Sequence, residues 1–140
     1  LDRVARLAAG VVERFRVKTP GVQAAARSLS GGNLQKFIVG REIDAKPRVL
    51  VIAQPTWGVD VDASAQVRAE LLALRDAGCA LLLVSEELDE LFELSDRLHV
   101  IAGGRLSPSI ATGEATVGLI GEWMSGLWPA EPESGSRHAA

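Results

Sequence analysis

The sequence Leu-Ser-Gly-Gly-Asn-Leu-Gln-Lys at residues 29–36 says more about the fold of this chain than any other stretch. Its two glycines, Gly31 and Gly32, leave the backbone bare enough for a phosphate group to approach closely. A helix is predicted to begin directly behind them, and the amide groups and dipole of a helix N-terminus attract an anion. A plainer interpretation stays open, in which Ser30 caps the helix and no ligand is involved.

The composition is that of an ordinary folded domain. The chain has 140 residues, of which 47% are hydrophobic and 24% charged, which is enough for one domain with a modest core. A net charge of −3 offers no large basic surface to nucleic acid. No apolar run is long enough to span a bilayer, and the start at Leu1 shows no signal peptide. Because the chain opens inside a predicted helix and not with Met, we expect an excised piece of a longer protein.

The apolar pattern predicts alternating helices and strands. Helices are predicted at about residues 2–15, 33–44, 63–77, 87–94 and 116–124. Strands are predicted at residues 49–53, 80–84 and 97–102, with a hairpin turn at 103–104. This alternation implies an α/β fold with a parallel sheet. The continuous apolar run at 49–53 is typical of a central strand buried on both faces.

The order of these features resembles that of the ABC-type ATPases. In that family a signature loop and its helix are followed by the Walker B strand and the D-loop. Here residues 29–33 match the signature loop, and Gln-Pro-Thr-Trp-Gly-Val-Asp at residues 54–60 matches the D-loop. Residues 85–97 stand where the family has its switch segment, and residues 100–106 look like its C-terminal hairpin. We refer to residues 29–33 as the signature loop and to residues 54–60 as the D-loop.

A finer resemblance is to the second nucleotide-binding domain of tandem ATPases that power the uptake of simple sugars and nucleosides. It is carried by residues 27–36, 55–63 and 120–126. The resemblance implies the C-terminal portion of a P-loop ABC ATPase domain. Residues 1–46 would form a helical subdomain with the signature loop, and residues 47–128 the C-terminal half of the RecA-like core. Residues 129–140 are predicted to be a disordered tail.

Several departures from the family bear on chemistry. The family's Walker B strand ends in Asp-Glu, which holds the Mg²⁺ shell and polarises the attacking water, but these positions are Ala53 and Gln54 here. Glu86 stands where the family has the switch His. No Gly-x-x-x-x-Gly-Lys-(Ser/Thr) phosphate cradle occurs anywhere in the sequence. The resemblance therefore implies no intact catalytic residue and no metal ligand, and we expect the chain alone to be inactive.

The resemblance also implies what the signature loop does. Ser30, Gly31, Gly32 and Asn33 would contact the γ-phosphate of an ATP molecule held by a partner domain, and Asp60 would lie at the seam between the domains. ATP and Mg²⁺ would then not be bound by this chain alone. The implied partners are another nucleotide-binding domain, membrane permease subunits and, indirectly, a solute-binding protein. The implied place is the cytoplasmic face of the cell membrane, as a peripheral protein.

Other interpretations stay open at this point. The chain can be a non-catalytic module for dimerisation or regulation, since the catalytic positions are lost. Asp60 can simply cap the helix behind it, although Asp62 is an even better cap candidate for a helix that begins near residue 63. Glu86 and Glu87 can be first-turn partners of a helix dipole. Three late side chains favour packing over ligand binding: Trp123, Met124 and Trp128.

The resemblance has a consequence for the sheet. In the family the Walker A strand lies between the strands that match residues 80–84 and 97–102, and this chain has no such strand. Its absence leaves unpaired backbone groups and an apolar gap. We therefore expect that the isolated chain is not a stable native-like monomer. Either the two strands close together, or copies of the chain associate, or the missing half is present.

Overall fold

The computed structural model describes residues 2–129. They form an α/β fold with two compact units, one up to Glu90 and the other from Leu91. The helices are α1 (Asp2–Arg14), α2 (Gly31–Asp44), α3 (Val61–Asp76), α4 (Leu88–Leu94) and α5 (Val117–Met124). The strands are β1 (Val49–Ala53), β2 (Ala80–Val84), β3 (Arg97–Leu98), β4 (Ile101–Ala102), β5 (Arg105–Leu106) and β6 (Ile110–Ala111). The tail predicted at 129–140 lies outside the described residues apart from Pro129, and the domain division expected at residue 46 stays a prediction.

Three helices build the core of the first unit, with α2 in contact with both α1 and α3. Arg14, at the end of α1, adds a polar tie, because its guanidinium pairs with Glu70 of α3 and with Asp44 of α2. The hydrogen bond to Glu70 raises the pKa of Arg14 above its usual value. The buried apolar side chains of this core include Val11, Phe15, Val17, Val39, Ile43, Val67, Leu71 and Leu74.

Gly40 is the point of closest approach between α1 and α2. A Cβ placed on Gly40 would lie 2.5 Å from the ring of Phe15, which is itself buried. We expect Gly40→Ala to lower the free energy of unfolding by about 1–3 kcal/mol, because the ring has little room to move. Gly10→Ala on α1 is the matched control, since its Cβ meets nothing within 4 Å. Urea unfolding should show Gly10→Ala raising stability by up to about 1 kcal/mol; equal effects would contradict the packing argument.

Strands β1 and β2 pair in parallel, with Val51 opposite Leu82 in the register. The prediction that β1 is buried on both faces is wrong. Val49 and Val51 are 64% and 66% exposed, and Leu82 on β2 is 58% exposed. Leu50, which points to the opposite face of β1, is buried. Among the described strands β2 pairs with β1 alone, so its second edge is open. The expected self-association of the isolated chain stays a prediction, and this apolar face is its physical basis.

The third predicted strand, at residues 97–102, is divided in the structure. Strand β3 pairs with β6 and strand β4 with β5, both antiparallel. The break falls at Val100, whose N–H donates to Ser107 Oγ and whose carbonyl accepts from Ser107 N–H, each at 2.8 Å. Because one buried serine takes both backbone groups of Val100, the strand cannot continue through it. The predicted turn at residues 103–104 is present, and both glycines have positive φ.

The second unit ends in α5, which Thr116 caps by accepting a hydrogen bond from Leu119 N–H. Trp123 is buried, as its predicted packing role requires, whereas Met124 is exposed. Between Asp2 and Pro129, no helix has the length and apolar character needed to cross a bilayer.

Candidate functional site

The signature loop stands at the start of α2, which begins at Gly31, two residues earlier than predicted. Ser30 is the N-cap, and its Oγ accepts hydrogen bonds from Asn33 Nδ2 at 2.8 Å and Asn33 N at 3.5 Å. Asn33 also accepts from Lys18 N–H, so both ends of its side-chain amide are engaged. Ser30 is exposed, and none of residues 2–129 accepts a hydrogen bond from its hydroxyl proton. The cap therefore leaves a donor free at the helix N-terminus.

The two glycines of the signature loop have different surroundings. A Cβ on Gly31 would meet nothing within 4 Å, so this glycine faces open space. A Cβ on Gly32 would lie 2.6 Å from the carbonyl oxygen of Gly58 in the D-loop. Gly31 thus leaves room for a ligand, whereas Gly32 permits the signature loop and the D-loop to touch.

The D-loop is a tight turn at the carboxyl ends of the two parallel strands. Gln54 has a φ of +50°, and its N–H donates to Val84 O at 2.7 Å. Its carbonyl accepts from Trp57 N–H at 3.1 Å, and Gly58 completes the turn with a φ of +70°. Trp57, next to it, is 74% exposed. The loop is therefore ordered by backbone hydrogen bonds while its tip stays exposed.

Three residues of α2 lie against the D-loop: Gly32, Gln35 and Lys36. Besides Gly32, Gln35 donates from Nε2 to Gln54 O at 2.9 Å and to Pro55 O at 3.2 Å. Lys36 is buried, and its Nζ lies 3.9 Å from Asp60 Oδ2. The sequence motif contains Gln35, but nothing in the local sequence shows which carbonyls it reaches.

A buried carboxylate holds the D-loop from another side. Glu90 on α4 is fully buried, and its Oε1 accepts a hydrogen bond of 2.8 Å from Thr56 Oγ1. Arg68 Nε on α3 lies 4.0 Å from the same oxygen. Neither Glu90 nor Arg68 was identified from the sequence, because a glutamate at this position of a short helix is ordinarily solvated.

Asp60, and not Asp62, caps α3. Its Oδ1 accepts a hydrogen bond of 2.9 Å from Ala63 N–H. That hydrogen bond lowers the pKa of Asp60, and the positive charges of Lys36 and Lys18 lower it further. The capping interpretation of Asp60 is therefore confirmed, and the preference for Asp62 as the cap is wrong. Asp60 also lies beside Lys36 of α2.

The cap predicts an acid sensitivity of α3. Because the folded-state pKa of Asp60 lies below its ordinary value of 3.8, the cap stabilises the fold above that pH. Its contribution is lost as the pH falls through the lowered pKa. Asp60→Asn keeps a neutral capping oxygen, so its stability should lack this part of the acid response. Urea unfolding at stepped acidic pH checks this; identical pH curves for the two proteins would contradict it.

Ala53 and Gln54, the positions that the resemblance implies to be degenerate, stand at and just after the end of β1. Ala53 ends β1 and offers no side-chain ligand, so the residues present do not fit the Mg²⁺ site of the family. Gln54 lies on an open cleft of about 300 Å³ beside the D-loop. Glu87, and not Glu86, lines the same cleft. Within residues 2–129, no group of three or more His, Cys, Asp or Glu side chains could hold a metal.

The sequence relatives of this chain include import ATP-binding proteins. The chain is 47% identical over 119 residues to the guanosine import ATP-binding protein NupO of Bacillus subtilis, covering 85% of this chain. It is 41% identical over 116 residues to the nucleoside import ATP-binding protein NupA of Lactococcus lactis, covering 83% of this chain. It is 39% identical over 114 residues to a ribose import ATP-binding protein of Rubrobacter xylanophilus. The chain spans about a quarter of each relative, 23% of its length. No family model matches the chain.

Solved structures agree on the fold. A dimeric ATP-binding cassette in a post-hydrolysis state, bound to ADP and Pi, superposes with a TM-score of 0.66 and 16% identity. The match covers 76% of this chain and 46% of that cassette. A nucleotide-free ATP-binding cassette from an ABC transporter gives a TM-score of 0.61 at 22% identity, covering 79% and 44% of the two chains. The described residues thus have the fold of part of such a cassette.

Proposed function

Because the chain belongs to the ABC ATPase family, with relatives among sugar and nucleoside importers, we propose that it donates its signature loop to a partner's ATP site. In this proposal it is the C-terminal part of a nucleotide-binding domain, the second of a tandem pair. The partner domain binds ATP and Mg²⁺, and the permease lies against the pair at the cytoplasmic face of the membrane. A solute-binding protein acts through the permease.

The observation that carries the proposal is the exposed start of α2. Ser30 keeps a hydroxyl donor, and the backbone at Gly31 is open to an approaching group. The first amide groups of a helix have no partner within the helix, and its dipole adds positive potential. A γ-phosphate presented by the partner would therefore meet hydrogen-bond donors and no opposing side chain. The contact would stabilise charge that develops on phosphoryl transfer.

The site on this chain's own side is proposed to be inactive. Ala53 cannot contribute to a metal shell, and Gln54 has an amide where a carboxylate would accept a proton from water. Glu86 is exposed, and its carboxylate would repel a phosphate. The productive contribution of this chain is then the donated loop. Hydrolysis takes place at the partner's site.

A thiol-protection experiment tests the donation. The single cysteine of this chain, Cys79, is buried, so Ser30→Cys introduces one accessible thiol at the loop. In the complete ATPase, with cysteines outside this chain replaced, ATP should slow labelling of Ser30→Cys by a maleimide. Protection should disappear when the partner's phosphate-binding lysine is substituted. Ala65→Cys on the exposed side of α3 is the control, with no protection expected. Equal labelling of Ser30→Cys with and without ATP would reject the proposal.

A second candidate function rests on the exposed apolar face of β1 and β2. Val49, Val51 and Leu82 form part of a surface that fits a non-catalytic interaction module. Such a module would bind its partner equally well with and without ATP. It would also leave the partner's ATP turnover unchanged when Ser30 is altered. The thiol-protection result separates the two functions.

A further inference from the structure

We infer that Gln35 is a positioning residue, which locks the signature loop to the D-loop so that the partner meets both as one rigid surface. The inference rests on the proposed function, because it concerns how the donated loop is held. Gln35 touches no substrate in this scheme. It acts through the backbone of residues 54 and 55, to which its side-chain amide donates.

The geometry of α2 explains why this residue has the role. Positions 32, 35 and 36 lie on one face of a helix, since residues three and four apart are neighbours. Gly32 meets Gly58, Gln35 meets the carbonyls of Gln54 and Pro55, and Lys36 lies beside Asp60. One helical face therefore follows the D-loop from its start to its end.

Among these contacts, Gln35 makes the directional one. The approach of Gly32 to Gly58 is steric and fixes a distance only. The Lys36–Asp60 pair is 3.9 Å long, and the Asp60 side chain is 67% exposed, so solvent weakens it. Gln35 is half-buried and donates to two successive backbone carbonyls, at 2.9 Å and 3.2 Å. Hydrogen bonds of this kind fix orientation as well as distance.

The D-loop is held independently on its other sides. Gln54 N–H donates to Val84 O of β2, and Thr56 donates to the fully buried Glu90 of α4. Pro55 itself is buried. Removal of the Gln35 amide would therefore leave the D-loop folded in place and release α2 from it. The expected defect is a misplaced signature loop in a folded domain.

The test is Gln35→Met, which keeps the length of the side chain and removes its hydrogen-bond donors. Gln66→Met on α3 is the matched control, because Gln66 Nε2 donates to a backbone carbonyl as well, that of Arg14. In the complete transporter both variants should lose a similar, small amount of thermal stability. Only Gln35→Met should reduce kcat for ATP, by roughly 10- to 100-fold, since small misplacements of contacting groups have effects of that order. The KM for ATP should stay near the parent value, because the partner domain binds the nucleotide.

The experiment distinguishes failure of the positioning role of Gln35 from failure of the proposed function. A fall in kcat of the same size for Gln66→Met and Gln35→Met would overturn the inference, since the effect would then be general loss of stability. An unchanged kcat for Gln35→Met would overturn it too. Ser30→Asp, measured beside them, reports on the proposed function itself. If Ser30→Asp abolishes turnover and Gln35→Met does not, only the positioning role fails; if Ser30→Asp is active, the donated-loop proposal fails.

Discussion

Ser30→Asp is expected to abolish ATP turnover at the partner's site while the domain stays as stable as before. Aspartate caps a helix as well as serine does, and a negative charge at a helix N-terminus is favourable. The same charge would stand against the γ-phosphate in the proposed assembly. Like charges about 4 Å apart repel by about 1 kcal/mol in bulk water and by about 4 kcal/mol near a protein surface. With the hydroxyl donor lost as well, turnover should fall by roughly 100-fold or more.

Ser30→Asp distinguishes the capping role of Ser30 from its proposed role as a hydrogen-bond donor to phosphate. Ser30 caps α2 and also carries a hydroxyl proton with no acceptor in the described part of the chain. Ser30→Ala would remove both roles, whereas Ser30→Asp removes only the second. Thr116→Asp, at the N-cap of α5, is the matched control and should leave turnover unchanged. The melting temperature and the ATPase rate of each variant test this prediction. Full activity of Ser30→Asp would mean that Ser30 acts only as a helix cap.

Local chemistry was enough to predict several helix ends and turns. Ser30 caps α2, as its capping interpretation predicted, and α3 ends at Asp76, one residue before its predicted end. The hairpin turn at Gly103 has the positive φ that its sequence predicted. Each of these features depends on residues within one turn of the chain. The order of motifs then predicted the family, which the relatives confirm, and the cassette structures confirm the fold.

Features that depend on distant neighbours could not be predicted. An apolar strand sequence indicates burial but does not show which elements pack against each face. The exposure of Val51 could therefore not be predicted. The break at Val100 depends on Ser107, whose hydroxyl accepts a hydrogen bond from the Val100 N–H. No periodic pattern in the sequence indicates such a contact. Asp62 directly precedes the helix predicted from residue 63 and is the better cap candidate in the sequence, but α3 begins at Val61 and Asp60 caps it.

The same limit applies to the site. Ser30 and Gly31 stand out in the sequence because glycine and a capping serine have local signatures. The roles of Gln35 and Glu90 cannot be predicted in this way, because their partners are carbonyl and hydroxyl oxygens that the fold brings to them. The sequence therefore identifies the residues that are proposed to face a ligand more readily than the residues that hold them in place.

Gly31→Ala and Gly32→Ala are expected to change the stability of the domain in opposite directions and to lower ATP turnover in both cases. A Cβ on Gly31 meets nothing within 4 Å, so alanine there should raise the free energy of unfolding by up to about 1 kcal/mol through helix propensity. A Cβ on Gly32 would lie 2.6 Å from Gly58 O, and both groups belong to backbone. Alanine at Gly32 should therefore lower stability by about 1–3 kcal/mol and push the two loops apart.

Turnover at the partner's site should fall in both variants, for two different reasons. In Gly31→Ala the added methyl group occupies the space that the phosphate would enter, so activity is lost from a domain that is more stable than the parent. In Gly32→Ala the signature loop moves away from the D-loop. Gly118→Ala, near the start of α5, adds a methyl group in open space and should leave turnover unchanged. Urea unfolding and ATPase rates check the set, and a fully active Gly31→Ala would mean that no phosphate approaches this backbone.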